Sequence, residues 1–230
     1  MSEHKTGKYI KYALGEILLV MIGILLALQV NNWNEQRKDR KLEQELLVTL
    51  LKTLEQNNDV IESRMKSISG YQYSGKLFMD IIENNSPYHD SLKFYFHRAF
   101  MNTARTRISS LGYESLKNAG LEIVQNDALK EEIIRFFEED QPGFLVALHW
   151  GNIDEADRER FITENFKQGY DQTSNRVVRD PFNPTTILED NYFKGLIYKI
   201  HNQRNYFIGE MERYLENNNQ LLEKVKSEIK

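Results

Sequence analysis

The chain contains no cysteine, and only four prolines and twelve glycines occur among its 230 residues. The lack of cysteine excludes disulfides, thiol catalysis and cysteine-ligated metal sites. The scarcity of proline and glycine favours long helices over many short strands joined by tight turns. An excess of positive charge is also missing, because 30 basic and 34 acidic side chains give a net charge of −4. We therefore expect no nucleic-acid partner, since nucleic-acid binding relies on a basic stripe that outweighs its acids.

Histidine is scarce as well, and its spacing does not fit the common metal sites. The five histidines are His4, His89, His97, His149 and His201. No two are four residues apart and none follows a glutamate by three, which excludes the HExxH zinc motif and the di-iron motif of helical bundles. No GxSxG motif marks a hydrolase nucleophile. We predict no catalytic, cofactor-binding or metal-binding residue and no enzyme activity, with a hydrolase of unrecognised site as a remote third possibility.

One near match to a nucleotide site occurs at residues 70–77, GYQYSGKL. A phosphate-binding loop GxxxxGK[ST] needs a hydroxyl for Mg²⁺ at the position that Leu77 occupies, and it follows a strand. A helical pattern precedes this segment instead. We interpret it as a helix that tolerates Gly70 and Gly75.

A long hydrophobic run near the N-terminus organises the sequence. Residues 13–30 include only two polar side chains, Glu16 and Gln29. As a helix these 18 residues rise about 27 Å, close to the roughly 30 Å of hydrocarbon in a bilayer. We predict a short polar tail over residues 1–12, followed by one transmembrane helix over residues 13–33.

Aromatic residues flank this run as they do at membrane interfaces, with Tyr9 and Tyr12 before it and Trp33 at its end. The alternative is a cleavable signal peptide. We favour a retained anchor, because the run is longer than a usual signal-peptide core and no Ala-x-Ala site follows it.

Basic residues stand on both sides of the predicted span. They are Lys5, Lys8 and Lys11 before it, and Arg37, Lys38, Arg40 and Lys41 after it. The positive-inside rule therefore gives nearly a tie. Because the short basic tail leads the chain and would be awkward to translocate, we expect it to stay in the cytoplasm, with the large domain outside.

One face of the predicted span repeats at alternating spacings of four and three residues. It consists of Glu16, Val20, Gly23, Ala27, Val30 and Asn34. Small residues let two helix backbones approach closely. We predict a helix–helix contact in the membrane through Glu16, Val20, Gly23 and Ala27, with a second copy or a membrane protein partner. For Glu16, whose charge is costly in the bilayer, the alternative is a side chain that reaches the headgroups.

Beyond the span, a heptad spacing of mostly apolar residues predicts a long helix. The stripe consists of Leu47, Leu51, Leu54, Asn58, Ile61, Met65 and Ile68. No proline or glycine separates this segment from the hydrophobic run, so we expect the helix to leave the membrane without a break. A coiled-coil stalk and a core helix of a bundle share this pattern, and we favour the bundle because later segments also need partners.

The remaining segments predict an all-α helical bundle over residues 34–215 and a fraying helix end over residues 216–230. Further helices are expected over residues 91–102, 113–119, 127–139 and 144–170 and from 187 onward. We expect Pro142 and Gly143 to break the chain between two helices. Residues 171–188 should be irregular, and strands should be few.

Two segments resemble a known family. They are KYALGEILLVMIGILLALQVNNWNE at 11–35 and LGYESLKNAGLEIVQNDALKEEI at 111–133. Both are similar to segments of domain of unknown function 6090, a family of single-pass bacterial membrane proteins typical of Bacteroidota-type bacteria. The resemblance implies membrane anchorage and a helical extramembrane domain, and it implies no chemistry. Together with the orientation expected from the basic tail, it predicts a bacterial inner-membrane protein whose C-terminal domain lies in the periplasm.

The second of these segments admits two interpretations. In the structural one, Leu116 and Leu121 pack inward, Gly120 turns the chain and Asn126 caps the next helix. In the functional one, Tyr113, Ser115 and Lys117 form a recognition surface. We favour the structural interpretation.

The sequence therefore favours a membrane-anchored, non-enzymatic interaction, scaffold or sensing module that acts through oligomerisation or a partner protein. The alternative is a sensor domain that binds a small ligand. The interior of the bundle distinguishes the two, since a polar cavity with convergent charges would favour a ligand and a dry core would favour a scaffold.

Overall fold

The computed structural model describes residues 3–101, 106–150 and 155–229, and the side chains in those ranges from residue 14 onward except that of residue 150. Its helices and strands are α1 (Glu3–Glu83), α2 (Lys93–Phe100), α3 (Leu111–Ala119), α4 (Asp127–Arg135), α5 (Gln141–Trp150), α6 (Glu155–Asn165), β1 (Phe166–Asp171), β2 (Arg176–Pro181), α7 (Pro184–Ile187) and α8 (Asn191–Glu228). Short 3-10 helices lie at Asp90–Leu92 and Leu121–Ile123, and a π-helical segment lies at Phe136–Asp140. The predicted all-α class is confirmed.

Helix α1 is unbroken over 81 residues, which corresponds to a length of about 120 Å. Every side chain from residue 14 to residue 42 is exposed, and burial of one face begins at Glu43. The exposed part contains an apolar window long enough to cross a membrane, and none of that window is buried in the domain. This apolar part of α1 therefore does not belong to the core of the domain. The helix also extends back to Glu3, through most of the segment that we predicted as a polar tail.

The predicted heptad stripe forms the buried face of α1. Leu47, Leu54, Ile61 and Ile68 are almost fully buried, and Leu50 joins them between two stripe positions. This face packs on α8 and on the shorter helices, as expected for the core helix of a bundle.

Helices α1 and α8 run antiparallel along the length of the domain. At one end Gln44 Nε2 donates to the carbonyl of Glu228 at 3.3 Å. At the other end the hydroxyl of Tyr198 donates to Glu83 at 2.9 Å. The two chain segments farthest apart in sequence thus form the central pair of the fold.

Two hydrophobic clusters appear among the described residues. The proximal cluster, nearer the apolar end of α1, includes Leu54, Leu116, Ile133, Phe144 and Met211. The distal cluster, at the far end of α1, includes Phe78, Phe96, Phe100, Phe166 and Phe193. Ring centroids in the distal cluster lie 4.4 Å apart for Phe78 and Phe96, and 6.1 Å apart for Phe96 and Phe100.

Pro142 and Gly143 do not break the chain between two helices, and that prediction was wrong. They follow Gln141 directly after the wider π-helical turn Phe136–Asp140, a local irregularity that lets a helix contain a residue without a backbone N–H. The preceding π-helical turn is wider, so that the N–H of Gln141 bonds the carbonyl of Phe136. Helices α4 and α5 are therefore continuous through Phe136–Asp140.

The segment that we predicted as a helix end and an irregular stretch forms a hairpin instead. Strands β1 and β2 pair antiparallel, with Phe166 opposite Pro181 and Asp171 opposite Arg176. In the turn, Asp171 accepts hydrogen bonds from the backbone N–H groups of Thr173 and Ser174. Alternation was too weak to predict these strands, because the hairpin is largely exposed and is anchored mainly at its base.

The last turns of α8, expected to fray, are packed in the proximal cluster. Leu221, Leu222 and Val225 are buried there, and the helix continues to Glu228. Their packing against α1 offsets the weak helix propensity of the asparagines at 217–219.

Candidate functional site

The corner formed by residues 111–133 is held tightly against α1. The N–H of Gly112 donates to Thr53 Oγ1 at 3.1 Å. Asn57 donates to the carbonyl of Ser109 at 2.9 Å and accepts from its N–H at 2.7 Å. The buried side-chain amide of Asn57 thus pairs with both backbone groups of Ser109, as a residue of a neighbouring β-strand would.

Gly120 and Asn126 have the roles predicted for them. Gly120 follows α3 with φ of +91°, a backbone conformation that favours glycine. Asn126 caps α4 by accepting a hydrogen bond from the N–H of Leu129 at 3.2 Å. The corner is therefore a turn between two helices, as the structural interpretation requires.

The predicted recognition residues Tyr113, Ser115 and Lys117 do not converge on one exposed surface. Tyr113 is 3% exposed, and its ring stacks on Phe137 with centroids 4.8 Å apart. Ser115 Oγ donates to the carbonyl of Leu111 in its own helix. Only Lys117 of the three extends into solvent.

Glu138 joins Tyr113 and Lys117 in a small polar cluster. Its Oε1 accepts from the Tyr113 hydroxyl at 2.6 Å and from Lys117 Nζ at 3.1 Å. The hydrogen bond from Tyr113, followed by that from Lys117, lowers the pKa of the Glu138 carboxyl. Burial, followed by the bond to Glu138, raises the pKa of Tyr113. The cluster therefore links α3 to the π-helical segment Phe136–Asp140.

Buried polar groups in the proximal cluster connect helices. Gln141 Nε2 donates to Ser110 Oγ at 2.7 Å. Asn218 Nδ2 donates to the carbonyl of Leu54 at 2.9 Å and to Asn58 Oδ1 at 2.8 Å. These groups are used for packing, and within the part of the chain that the structure describes no convergent set of charges accompanies them.

Arg204 is a buried cation that binds backbone. It is 1% exposed, and its guanidinium donates to the carbonyls of Tyr71, Arg98, Ala99 and Met101 at 2.6 to 3.2 Å. Three of these carbonyls belong to the C-terminal end of α2, where a cation is favourable. Burial, followed by the charge of Arg158, lowers the pKa of Arg204 to about 10. Its role is to join α8 to α1 and α2.

A second basic group lies where β2 crosses α2. Arg179 is 6% exposed, its guanidinium carbon lies 5.8 Å from the centroid of the Phe100 ring, and its Nε has no hydrogen-bond partner. His97, one turn before Phe100, is half-buried and its Nδ1 is likewise without a partner. Burial lowers the pKa of both groups, and the charge of Arg179 lowers that of His97 further. The charge of Glu159 opposes this lowering of the pKa in both groups, so a small anion bound by them would compete with that carboxylate.

The predicted contact residues of the exposed apolar segment of α1 are all exposed. Glu16, Val20, Gly23 and Ala27 lie on one face of α1, and nothing stands within 4 Å of a Cβ built on Gly23. This face is therefore open to a second helix.

Nothing in the described ranges resembles a metal centre, since no group of three or more histidine, aspartate or glutamate side chains is placed to hold an ion. Sequence reasoning missed four residues that shape the interior, namely Asn57, Gly112, Arg179 and Arg204. Asn57 could have been found from the sequence, because it interrupts the apolar face of α1. The sequence contained no signal that Arg179 and Arg204 are buried.

Comparison with known proteins gives a resemblance to a family over part of the chain and no activity. No curated protein and no solved structure matches the chain. A family model matches residues 16–77, all of which lie within α1. This match confirms the resemblance to this family over most of the first predicted segment, whereas the second segment, residues 111–133, lies outside the matched range. Over these residues the chain is similar to a family described as "Family of unknown function (DUF6090)".

Proposed function

We propose that this chain is a membrane-anchored, non-enzymatic interaction and sensing module that works through a second copy of itself or a membrane protein partner. Residues 13–33 cross the bilayer once in this proposal. The observation that carries it is the continuity of α1, which runs from the apolar segment to the centre of the domain without interruption.

The exposed apolar segment supports the anchor. Its side chains would cost free energy in water, and a surface of this size normally meets lipid or another protein. The adjoining domain leaves the segment uncovered. A bilayer satisfies both the length and the composition of the segment.

Continuity of α1 also supports coupling between the two parts. A rotation or displacement of the anchor would be carried along a stiff helix into its heptad face. That face packs on α8 in the proximal cluster, and Phe78, further along α1, packs in the distal cluster. The interiors of these clusters are predominantly apolar, which favours a scaffold over a catalytic cavity.

The location that we propose is a bacterial inner membrane, with the basic tail in the cytoplasm and the domain in the periplasm. The motif resemblance supports a bacterial membrane, and the short basic tail that leads the chain supports this orientation. A homo-oligomer is the simplest partner, because the face with Gly23 and Ala27 is open.

Co-purification of two differently tagged full-length copies from the same membranes tests the proposal. We expect association, and we expect Gly23→Ile to abolish it by blocking close backbone approach. Gly15→Ile is the matched control, because Gly15 also has open space around it but lies off the predicted face. Equal association of both variants and the unmodified chain, with no membrane protein cross-linked at Ala27, would contradict the proposal.

A second candidate function is a sensor for a small oxyanion, favoured by the unpartnered Nε of Arg179 and Nδ1 of His97. Thermal unfolding of the full chain in detergent tests it, with inorganic phosphate compared with chloride at equal ionic strength. We expect phosphate to raise the unfolding temperature of the unmodified chain and of Arg176→Met, an exposed arginine on the same strand. Arg179→Met should lose the effect. No stabilisation of the unmodified chain would contradict this candidate.

A further inference from the structure

A cavity lies where α1 leaves its apolar segment and meets the domain. It has a volume of about 470 Å³ and is lined by Trp33, Gln36, Arg37, Arg40 and Gln125. The four residues of α1 are spaced by three, one and three positions, so they share one face of the helix. Gln125 supplies the opposite wall from the segment before α4.

The wall at Gln125 is fixed in place by a buried carboxylate. Glu43 is 0% exposed, and its Oε1 accepts the backbone N–H of Gln125 at 2.8 Å. Its Oε2 accepts from Arg40 Nη1 at 3.3 Å. Asn126 adds a hydrogen bond to Glu228 at 2.8 Å. These hydrogen bonds hold the segment of Gln125 and Asn126 beside α1, so both walls of the cavity are in place without a ligand.

Positive charge dominates the lining. Arg37 and Arg40 are adjacent on the helix face, and neither Asp39 nor Glu35 lines the cavity. Glu43 is the acid in contact with this group, and both of its oxygens already accept hydrogen bonds. Arginine in this setting favours the oxygens of a phosphate, which accept two parallel N–H bonds.

The position of the cavity along α1 identifies the source of that phosphate. Trp33 is three residues beyond Val30, the end of the apolar run, and Arg40 is ten residues beyond it. Along a helix these distances are about 4.5 and 15 Å, which span the headgroup layer. Trp33 is 63% exposed, as expected for an indole that faces this layer.

We propose that this cavity binds the headgroup of an anionic phospholipid. The phosphodiester accepts hydrogen bonds from Arg37 and Arg40, and the amides of Gln36 and Gln125 bond the polar part of the headgroup. The inference rests on the proposed function, in which residues 13–33 cross the bilayer. A bound headgroup would tie the base of the domain to the membrane surface and fix the tilt of α1.

The test uses the full chain carrying Trp150→Phe, which leaves Trp33 as the single tryptophan of the two present. The protein is placed in phosphatidylcholine nanodiscs, and Trp33 emission is followed as phosphatidylglycerol replaces phosphatidylcholine. We expect a saturable change in emission. Native mass spectrometry of the same samples should show retained phosphatidylglycerol.

Two double variants separate a built site from general surface charge. Arg37→Gln with Arg40→Gln removes both cavity cations and their charge-assisted hydrogen bonds, and should weaken the apparent affinity about 30-fold, or about 2 kcal/mol. Lys38→Gln with Lys41→Gln removes the same charge from residues that do not line the cavity and should weaken it less, because only a longer-range attraction that salt screens is lost. Equal losses in the two variants, or no saturable change in the parent chain, would overturn the inference.

Two further measurements identify what has failed if the result is negative. Carbonate extraction of cell membranes tests the anchor alone. Release of the chain by carbonate would contradict the proposed function itself. Retention without a phosphatidylglycerol response would overturn only the headgroup site. In lipid-free detergent, a Trp33 response to inorganic phosphate equal to that seen with phosphatidylglycerol would assign the cavity to a dissolved anion and overturn the lipid inference.

Discussion

Gly112 lies so close to Leu50 that a Cβ on the glycine would overlap the Leu50 Cα and stand 2.9 Å from its backbone nitrogen. Thr53 Oγ1 is 3.0 Å from the same point and accepts the Gly112 N–H. Helix α3 can therefore reach α1 at this distance only because residue 112 has no side chain. The corner of residues 111–133 depends on this contact.

Gly112→Ala should consequently destabilise the domain. We expect a loss of about 1–3 kcal/mol in the free energy of unfolding, because the new methyl group forces two backbones apart. Gly209→Ala is the control, since open space surrounds Gly209 in α8 and alanine favours a helix interior by about 0.5–1 kcal/mol. Guanidinium unfolding of the full chain in detergent, followed by circular dichroism, measures both. An unchanged midpoint for Gly112→Ala would contradict the prediction.

Gly120→Val should also destabilise the domain, here through the backbone. The φ of +91° at Gly120 is unfavourable for a β-branched residue, at about 1–3 kcal/mol. Space is not the reason, because nothing stands within 4 Å of a Cβ at this position. Ala119→Val, at the last position of α3, should cost only the difference in helix propensity, below about 1 kcal/mol. Equal unfolding midpoints for the two variants would remove the backbone explanation.

Leu116→Ala should cost about 2–5 kcal/mol, because the side chain is fully buried in the proximal cluster. Lys117→Ala, one residue further on and exposed, should leave the free energy of unfolding nearly unchanged. If Lys117→Ala folds normally but abolishes partner capture, the corner is a recognition surface and the structural interpretation is wrong.

Acid should weaken the corner through Glu138. Its folded pKa lies below the ordinary value of 4.5, so its contribution is complete above that value and is lost as the pH falls through the folded pKa. Tyr113→Phe and Lys117→Ala should each raise the Glu138 pKa, because each removes a hydrogen bond to its carboxylate. Carbon-13 NMR titration of labelled glutamate side chains measures both shifts, and an unchanged Glu138 pKa in either variant would contradict that contact.

Arg204→Met should loosen the junction of α1, α2 and α8. It leaves the carbonyls of Arg98, Ala99 and Met101 without their buried donor, at about 1–3 kcal/mol for each acceptor that stays unsatisfied. Hydrogen exchange should quicken at the amides of α2. Arg213→Met, an exposed arginine on the same helix, should leave that exchange unchanged, and identical behaviour of the two variants would refute the role of Arg204.

Much of this architecture follows from local pattern. The hydrophobic run, the heptad stripe from Leu47 to Ile68 and the absence of helix breakers predict one long helix whose buried face is known in advance. These signals are read within a few turns of one helix, where side-chain spacing and burial are directly linked. Gly120 and Asn126 were predictable for the same reason, since a helix end is a local structure.

Tertiary structure decided what depends on neighbours distant in sequence. The hairpin is placed by Phe166 in the distal cluster, Pro142 is accommodated by a wider helical turn, and Arg204 is buried because three segments present carbonyls to it. The cavity at Trp33 exists because Glu43 holds Gln125 against α1, 82 residues apart in the chain. Sequence fixes which residues are apolar and where helices end, whereas the pairing of distant backbone and polar groups is known only once the helices have packed.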